Sequence, residues 1–98
     1  MSLRQVLEEQ IDRNEKNIKA YQKKVDKLPK GSLHEKKIGK NIYFYLKFRD
    51  ENGKRVDLYV RREDVKQMRK NIEKRRQYLG IIKSLREDIQ IAKKGLKK

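Results

Sequence analysis

Apolar and polar residues alternate with a period of two over residues 41–61, NIYFYLKFRDENGKRVDLYVR, and recur in steps of three and four on either side. Period two sends successive side chains to opposite faces of a strand. On the first run Ile42, Phe44, Leu46 and Phe48 alternate with Tyr43, Tyr45, Lys47 and Arg49. On the second, Val56, Leu58 and Val60 alternate with Arg55, Asp57, Tyr59 and Arg61. The pattern predicts a β-hairpin with one fully apolar, core-forming face and one face of tyrosines interleaved with Arg and Lys. Matched faces require Phe44 opposite Val60, Leu46 opposite Leu58 and Phe48 opposite Val56. Asp50 then pairs with Lys54, and Glu51-Asn52-Gly53 form a three-residue loop, a type I turn followed by a G1 bulge. Its third position needs positive φ, which Gly53 adopts without a Cβ penalty. A two-residue Asn-Gly turn would set Arg49 against Val56 and mix the faces. The same register puts Tyr43 opposite Arg61, Tyr45 opposite Tyr59 and Lys47 opposite Asp57, at ~0.2–1 kcal/mol per pair.

Helical periodicity flanks the hairpin. Over residues 3–28, Ile11, Ile18 and Val25 occupy position a of a heptad, and Leu7, Asn14, Tyr21 and Leu28 position d. β-Branched residues at a, with one polar Asn in the seam to set register, are the pattern of a coiled coil. At ~1.5 Å per residue this helix is roughly 39 Å long. It is expected to stop at Leu28, because the residue before Pro29 is pushed out of the α region. A second helix is expected over residues 63–94. Its stripe is Val65, Met68, Ile72, Leu79, Ile82, Leu85, Ile89, Ala92 and Leu96, with Arg75 filling one seam position. Glu63 and Asp64 suit its first turn and Lys93 and Lys94 its last. Gly95 fits the C′ position. Gly80, mid-helix, costs roughly 1 kcal/mol relative to Ala and marks a close approach or a bend.

Residues 33–38 read two ways. Ser32-Leu33-His34-Glu35 matches a capping box, which would open a helix. A short strand turning through Gly39-Lys40 into Asn41 is the preferred reading. The expected fold is α+β, mostly α, in a single domain. Two long antiparallel helices, a helical hairpin or coiled coil, are joined by a small antiparallel sheet of two or three strands spanning residues 33–61. Two helices alone bury little surface, so a homodimer is expected, through Leu7, Ile11, Asn14, Ile18, Tyr21, Val25, Ile72, Leu79, Ile82 and Ile89.

Charge changes the picture from fold to partner. Of 98 residues, 44% are charged and 35% hydrophobic, and the net charge is +15. The basic excess is two over residues 1–28, five over 29–61 and eight over 62–98. It therefore gathers on the hairpin and the second helix. Such a surface attracts polyanions: nucleic acid, anionic lipid or an acidic protein. With no Cys there is no disulfide framework and no thiolate metal site, which fits a cytoplasmic setting. No apolar run reaches the ~18 residues of a membrane span, and MSLRQVLEEQ lacks the apolar region of a secretory signal. The helices also lack the Trp- and Phe-rich face of a membrane-surface helix, so no membrane partner is expected.

Aromatics on a sheet stack unpaired bases while Arg and Lys hold phosphates, and two-stranded ribbons enter the major groove. Tyr43, Tyr45, Lys47, Arg49, Lys54, Arg55, Tyr59 and Arg61 suit either mode. The bland alternative is a solvated face of mutually covering tyrosines, and Asp57 favours it unless Lys47 neutralises the carboxylate. Lys66, Arg69, Lys70, Lys74, Arg75 and Arg76, with only Glu73 among them, have the spacing to track a phosphate backbone or to flank a solvated coiled coil. His34 is the only histidine and has no second ligand at metal spacing. A catalytic tyrosine would lack its supporting site. There is no Gly-rich phosphate loop. No catalytic residue, metal or cofactor is expected.

The segments LPKGSL (28–33), KIGK (37–40), IYFYLKFRDENGKR (42–55) and LYV (58–60) resemble an uncharacterised family. Its members are short basic proteins of Gram-positive bacteria, archaea and mobile elements, with a pattern like LPKGS…K…I…GK…YYYL…R…GK…Y. The resemblance covers about a third of the chain and implies no established activity. The family is often basic where this chain has Asp57. The hairpin also looks like the β-ribbon modules of phage integrases and some transposases, an analogy of fold rather than function. The expectation is a non-enzymatic basic nucleic-acid-binding accessory protein, on DNA or RNA. The alternative is a small protein-docking adaptor or inhibitor, phage- or plasmid-encoded, acting on a nucleic-acid-handling complex.

Overall fold

Ser2 opens the first helix of the computed structural model, which describes residues 2–97. The Ser2 hydroxyl accepts from the Gln5 N–H at 3.2 Å, and the Gln5 side chain accepts from the Ser2 N–H at 3.1 Å. The chain's capping box is therefore here, and Ser32-x-x-Glu35 is not used as one. Helix α1 runs over Leu3–Asp26 and ends two residues before the expected Leu28, at the Lys27 cap ahead of Pro29. Three strands follow, β1 (Ser32–Ile38), β2 (Asn41–Arg49) and β3 (Arg55–Val60), in an antiparallel sheet of order β1-β2-β3. A 3-10 turn over Arg62–Asp64 leads into helix α2 (Val65–Leu96). Glu63 and Asp64 thus lie in the 3-10 turn, and none of the first-turn residues of α2 is acidic. The architecture is α+β and mostly helical.

The β2–β3 register is the one the apolar faces demand: Phe44 pairs with Val60, Leu46 with Leu58, Phe48 with Val56. Asp50 N–H donates to the Lys54 carbonyl at 2.9 Å, closing the three-residue loop, and Gly53 has φ of 79°. The Asp50 carboxylate accepts from the N–H groups of Asn52 and Lys54, both at 2.9 Å, which fixes the turn. The ladder stops at Phe44–Val60. Tyr43 does not pair with Arg61, because Arg61 already caps the 3-10 turn with φ −63° and ψ 142°. Residues 33–38 are strand. Ile38 pairs with Asn41 across Gly39-Lys40, with Gly39 at φ 61°, the geometry of a type II′ hairpin.

The chain divides into two compact units. One contains Leu28–Arg75, the sheet with the first turns of α2. The other contains the described residues up to Lys27 with those from Arg76 onward. In the sheet unit, Leu46, Val60 and Val65 form a buried cluster, against which Leu33, Phe44, Phe48, Met68 and Ile72 pack. Val65, Met68 and Ile72 are the first stripe positions of α2, so one helix face covers one sheet face. The cover is partial. Ile42 is 40% exposed and Leu58, on edge strand β3, is 51% exposed. The apolar face forms core as expected but is not buried along its whole length, because three helical positions are too few to reach both ends of the ladder.

In the helical unit Val25, Ile82, Ile89 and Ala92 are buried, with Asn14 as the buried polar residue. Tyr21 and Tyr78 rings lie 5.6 Å apart, and Lys24 Nζ sits 5.3 Å and 5.6 Å from their centroids. Leu7 lies beside Gly95, where an added Cβ would come within 3.1 Å of Leu7 Cδ1. The two contacts run in opposite chain directions, so α1 meets the second half of α2 antiparallel. The expected simple hairpin of two full-length helices is not what forms, because the first turns of α2 serve the sheet instead. Gly95 is inside α2 rather than at C′. Gly80 has open space around it, which removes the close-approach reading. Leu79 is 38% exposed, and Tyr78 takes the packing position beside it.

Candidate nucleic-acid interface

Antiparallel pairing carries the alternation of β2 into its neighbours. Positions opposite Tyr43, Tyr45 and Lys47 on β1 are Lys36, His34 and Ser32. On β3, Tyr59, Asp57 and Arg55 stand opposite Tyr45, Lys47 and Arg49. All lie on the sheet face away from the Leu46–Val60–Val65 cluster. Its centre is a cross-strand row, His34–Tyr45–Tyr59. The Tyr45 and Tyr59 rings meet edge to face, with centroids 6.0 Å apart and planes at 69°. Tyr45, on the central strand, is half-buried, and Tyr59 is 56% exposed.

Lys36, Lys47, Arg49 and Arg55 flank the row and are exposed. Arg49 stands directly opposite Arg55. Like charges in that position destabilise a ladder, so this pair is not there to hold the sheet together. Arg49 donates one hydrogen bond to the Gly53 carbonyl at 3.3 Å. Lys47, Phe48, Arg49, Arg55 and Asp57 line an open groove at this end. Lys54 is exposed beside it in the turn. Asp57 is the one carboxylate on the face, opposite Lys47.

His34 and Lys36 are not among the residues that the sequence assigns to this face. The signal that finds them is the alternation of Ser32, His34 and Lys36 once β1 is known to be a strand paired through Gly39-Lys40. His34 Nε2 lies 2.8 Å from Ser32 Oγ. Its sequence neighbour Glu35 turns to the other sheet face and pairs with Arg69 at 3.5 Å. Strand geometry thus separates the two side chains. Among the described residues, no three His, Cys, Asp or Glu side chains gather where they could hold a metal.

The basic residues of α2 lie apart from this face. Lys66, Arg69 and Lys70 line a second groove, with Arg62, Val65, Phe44 and Glu35. Phe44 and Glu35 are on the sheet face that α2 covers, so this groove opens on the opposite side of the sheet. Lys74 is exposed four residues further along α2. Arg61 lies off the ladder and pairs with Glu63 at 3.9 Å. Arg75 is half-buried, and Arg76 belongs to the helical unit. Tyr43 is half-buried opposite Lys36.

The seam residues proposed for assembly pack within the chain. Asn14, Val25, Ile82 and Ile89 are buried, Leu7, Ile11, Ile18 and Tyr21 are half-buried, and Ile72 packs on the sheet cluster. The apolar residues left exposed on the helical unit include Leu3, Val6, Ile81 and Ile91. No helix of the described residues is long and apolar enough to cross a membrane.

The chain belongs to a family described as "Domain of unknown function (DUF6788)", which matches residues 2–70. The match takes in α1, the whole sheet and α2 as far as Lys70, so both grooves lie inside it. No curated protein and no solved structure matches the chain.

Proposed function

We propose that this DUF6788 protein is a non-enzymatic, basic nucleic-acid-binding accessory protein that docks through the outer face of its sheet. The observation that carries the reading is that face itself: a His34–Tyr45–Tyr59 row, exposed at His34 and Tyr59 and half-buried at Tyr45, flanked by Lys36, Lys47, Arg49 and Arg55 against a single carboxylate. Rings offer stacking surfaces to bases, and the cations neutralise phosphates. The Arg49–Arg55 opposition supports it, because a polyanion relieves a repulsion that the free sheet must bear. A cytoplasmic homodimer is part of the proposal; exposed Leu3, Val6, Ile81 and Ile91 are the surface available for it.

Fluorescence anisotropy with labelled oligonucleotides tests the reading across a salt series. Affinity should fall steeply with salt, as phosphate neutralisation releases counterions. Arg49→Ala with Arg55→Ala should weaken binding to all sequences and flatten the log–log salt slope by roughly one to two units. Tyr45→Ala should weaken single-strand binding by ~1–3 kcal/mol if its ring stacks on a base. Binding no tighter than that of a scrambled peptide of equal charge would overturn the proposal. So would a double Arg variant with the parent's affinity and slope. The protein-docking adaptor is the second reading, favoured by exposed Leu58 on edge strand β3. Nuclease-resistant, stoichiometric capture of one protein would select it.

A further inference from the structure

The sheet unit carries two basic surfaces, and they face opposite ways. The outer face presents Lys36, Lys47, Arg49 and Arg55 against Asp57. The groove on the helix side presents Arg62, Lys66, Arg69 and Lys70 against Glu35, with Phe44 and Val65 as its apolar walls. Glu35 pairs with Arg69. Arg62, Lys66 and Lys70 have no carboxylate partner among the described residues. Each side therefore offers four cations for one anion.

Packed sheet layers lie ~10 Å apart, which sets the scale of the separation between the two sides. The Debye length at physiological ionic strength is ≈ 8 Å. A phosphate chain lying on one side therefore leaves most of the field on the other side unneutralised. A single short segment cannot satisfy both surfaces without wrapping an edge of the sheet. Resting on the nucleic-acid reading above, we infer that the sheet unit holds two nucleic-acid segments at once, one on each side, and so bridges them. The two sides differ in chemistry. The outer face adds a row of rings to its cations, whereas the helix-side groove supplies charge on a helix, suited to phosphate alone.

The test uses the full chain and two oligonucleotides of unrelated, non-complementary sequence, in whichever strandedness binds more tightly in the anisotropy titration. One is biotinylated on beads and the other fluorescent, and capture of the fluorescent one is read at near-physiological salt. The parent should bridge them. Lys66→Ala with Lys70→Ala, two exposed helix positions where Ala is a good helix former, should still bind one oligonucleotide through the outer face. Its salt slope should fall by roughly one to two units, and its capture should drop to the protein-free level. Arg49→Ala with Arg55→Ala should likewise retain binding through the groove and lose capture. Three results overturn the inference while leaving nucleic-acid binding intact. The first is a parent that binds without bridging. The second is a Lys66/Lys70 variant that bridges like the parent, as a dimer with outer-face sites alone would. The third is an Arg49/Arg55 variant that binds nothing. A parent that binds no oligonucleotide overturns both this inference and the reading it rests on.

Discussion

Gly31 in the sheet unit and Gly80 in the helical unit are under opposite constraints. Gly31 has φ of 111°, and a Cβ there would overlap the Lys47 carbonyl oxygen and lie 2.9 Å from Phe48 Cβ. Gly80 has nothing within 4 Å of an added Cβ. The contrast extends to the units around them. The sheet is built from pairings between residues distant in sequence, where a slip of one position turns every side chain to the wrong face. The helical unit repeats one seam and carries solvated i to i+4 pairs such as Arg4–Glu8 at 3.2 Å and Asp12–Lys16 at 3.1 Å. Such exposed pairs contribute only ~0.3–0.5 kcal/mol each. Gly31 leaves no room for a side chain in the sheet unit, where the chemistry proposed for function also lies, whereas Gly80 leaves open space in the helical unit.

Gly31→Ala is the substitution that presses this contrast hardest. Backbone overlap and positive φ act together, and the expected loss is at least about 3 kcal/mol. Thermal unfolding followed by circular dichroism should show loss of the sheet; an unchanged melting temperature would mean the connector 29–31 is free to move away from β2.

Core truncations measure whether the two units stand independently. Leu46→Ala and Ile82→Ala each remove a nearly fully buried side chain and should cost about 2–5 kcal/mol. Hydrogen exchange separates them. Leu46→Ala should lower protection mainly over 32–60, and Ile82→Ala mainly over 3–26 and 77–96. Equal loss throughout the chain for either variant would make the fold one cooperative block and erase the comparison.

The smallest effects differ in sign. Gly53 and Gly80 both face open space, so only backbone preference separates them. Gly53→Val forces a β-branched residue to φ of 79° and should lose ~1–3 kcal/mol, more than Asn52→Ala. Asn52 contributes to the turn through its backbone N–H, which the substitution leaves in place. Gly80→Ala should instead gain up to ~1 kcal/mol. A stabilising Gly53→Val would refute the three-residue loop.

Much of the sheet is legible in residues 41–61. Alternation names the two faces, and matching those faces leaves one register and one loop, with Gly53 in the position that needs it. The heptad likewise places Asn14 and Val25 in the seam, and the stripe of the second helix includes Ile82. Both are local rules, set by periodicities of 2 and 3.6 that the backbone imposes on any chain. Less legible were β1, for which a capping-box match competed with a strand, and with it His34 and Lys36 of the candidate face.

What the sequence by itself determined is therefore which residues share a face within each element. Beyond the β2–β3 hairpin, only the tertiary structure decided which faces meet. It gave the first turns of α2 to the sheet, because Val65, Met68 and Ile72 cover Leu46 and Val60 there, and so shortened the expected helical hairpin. It left Ile42 and Leu58 uncovered at the limits of that contact. It also set Lys66, Arg69 and Lys70 on the opposite side of the sheet from Arg49 and Arg55, a separation that residue spacing cannot contain, because the side on which a helix docks depends on non-local packing rather than on its own period.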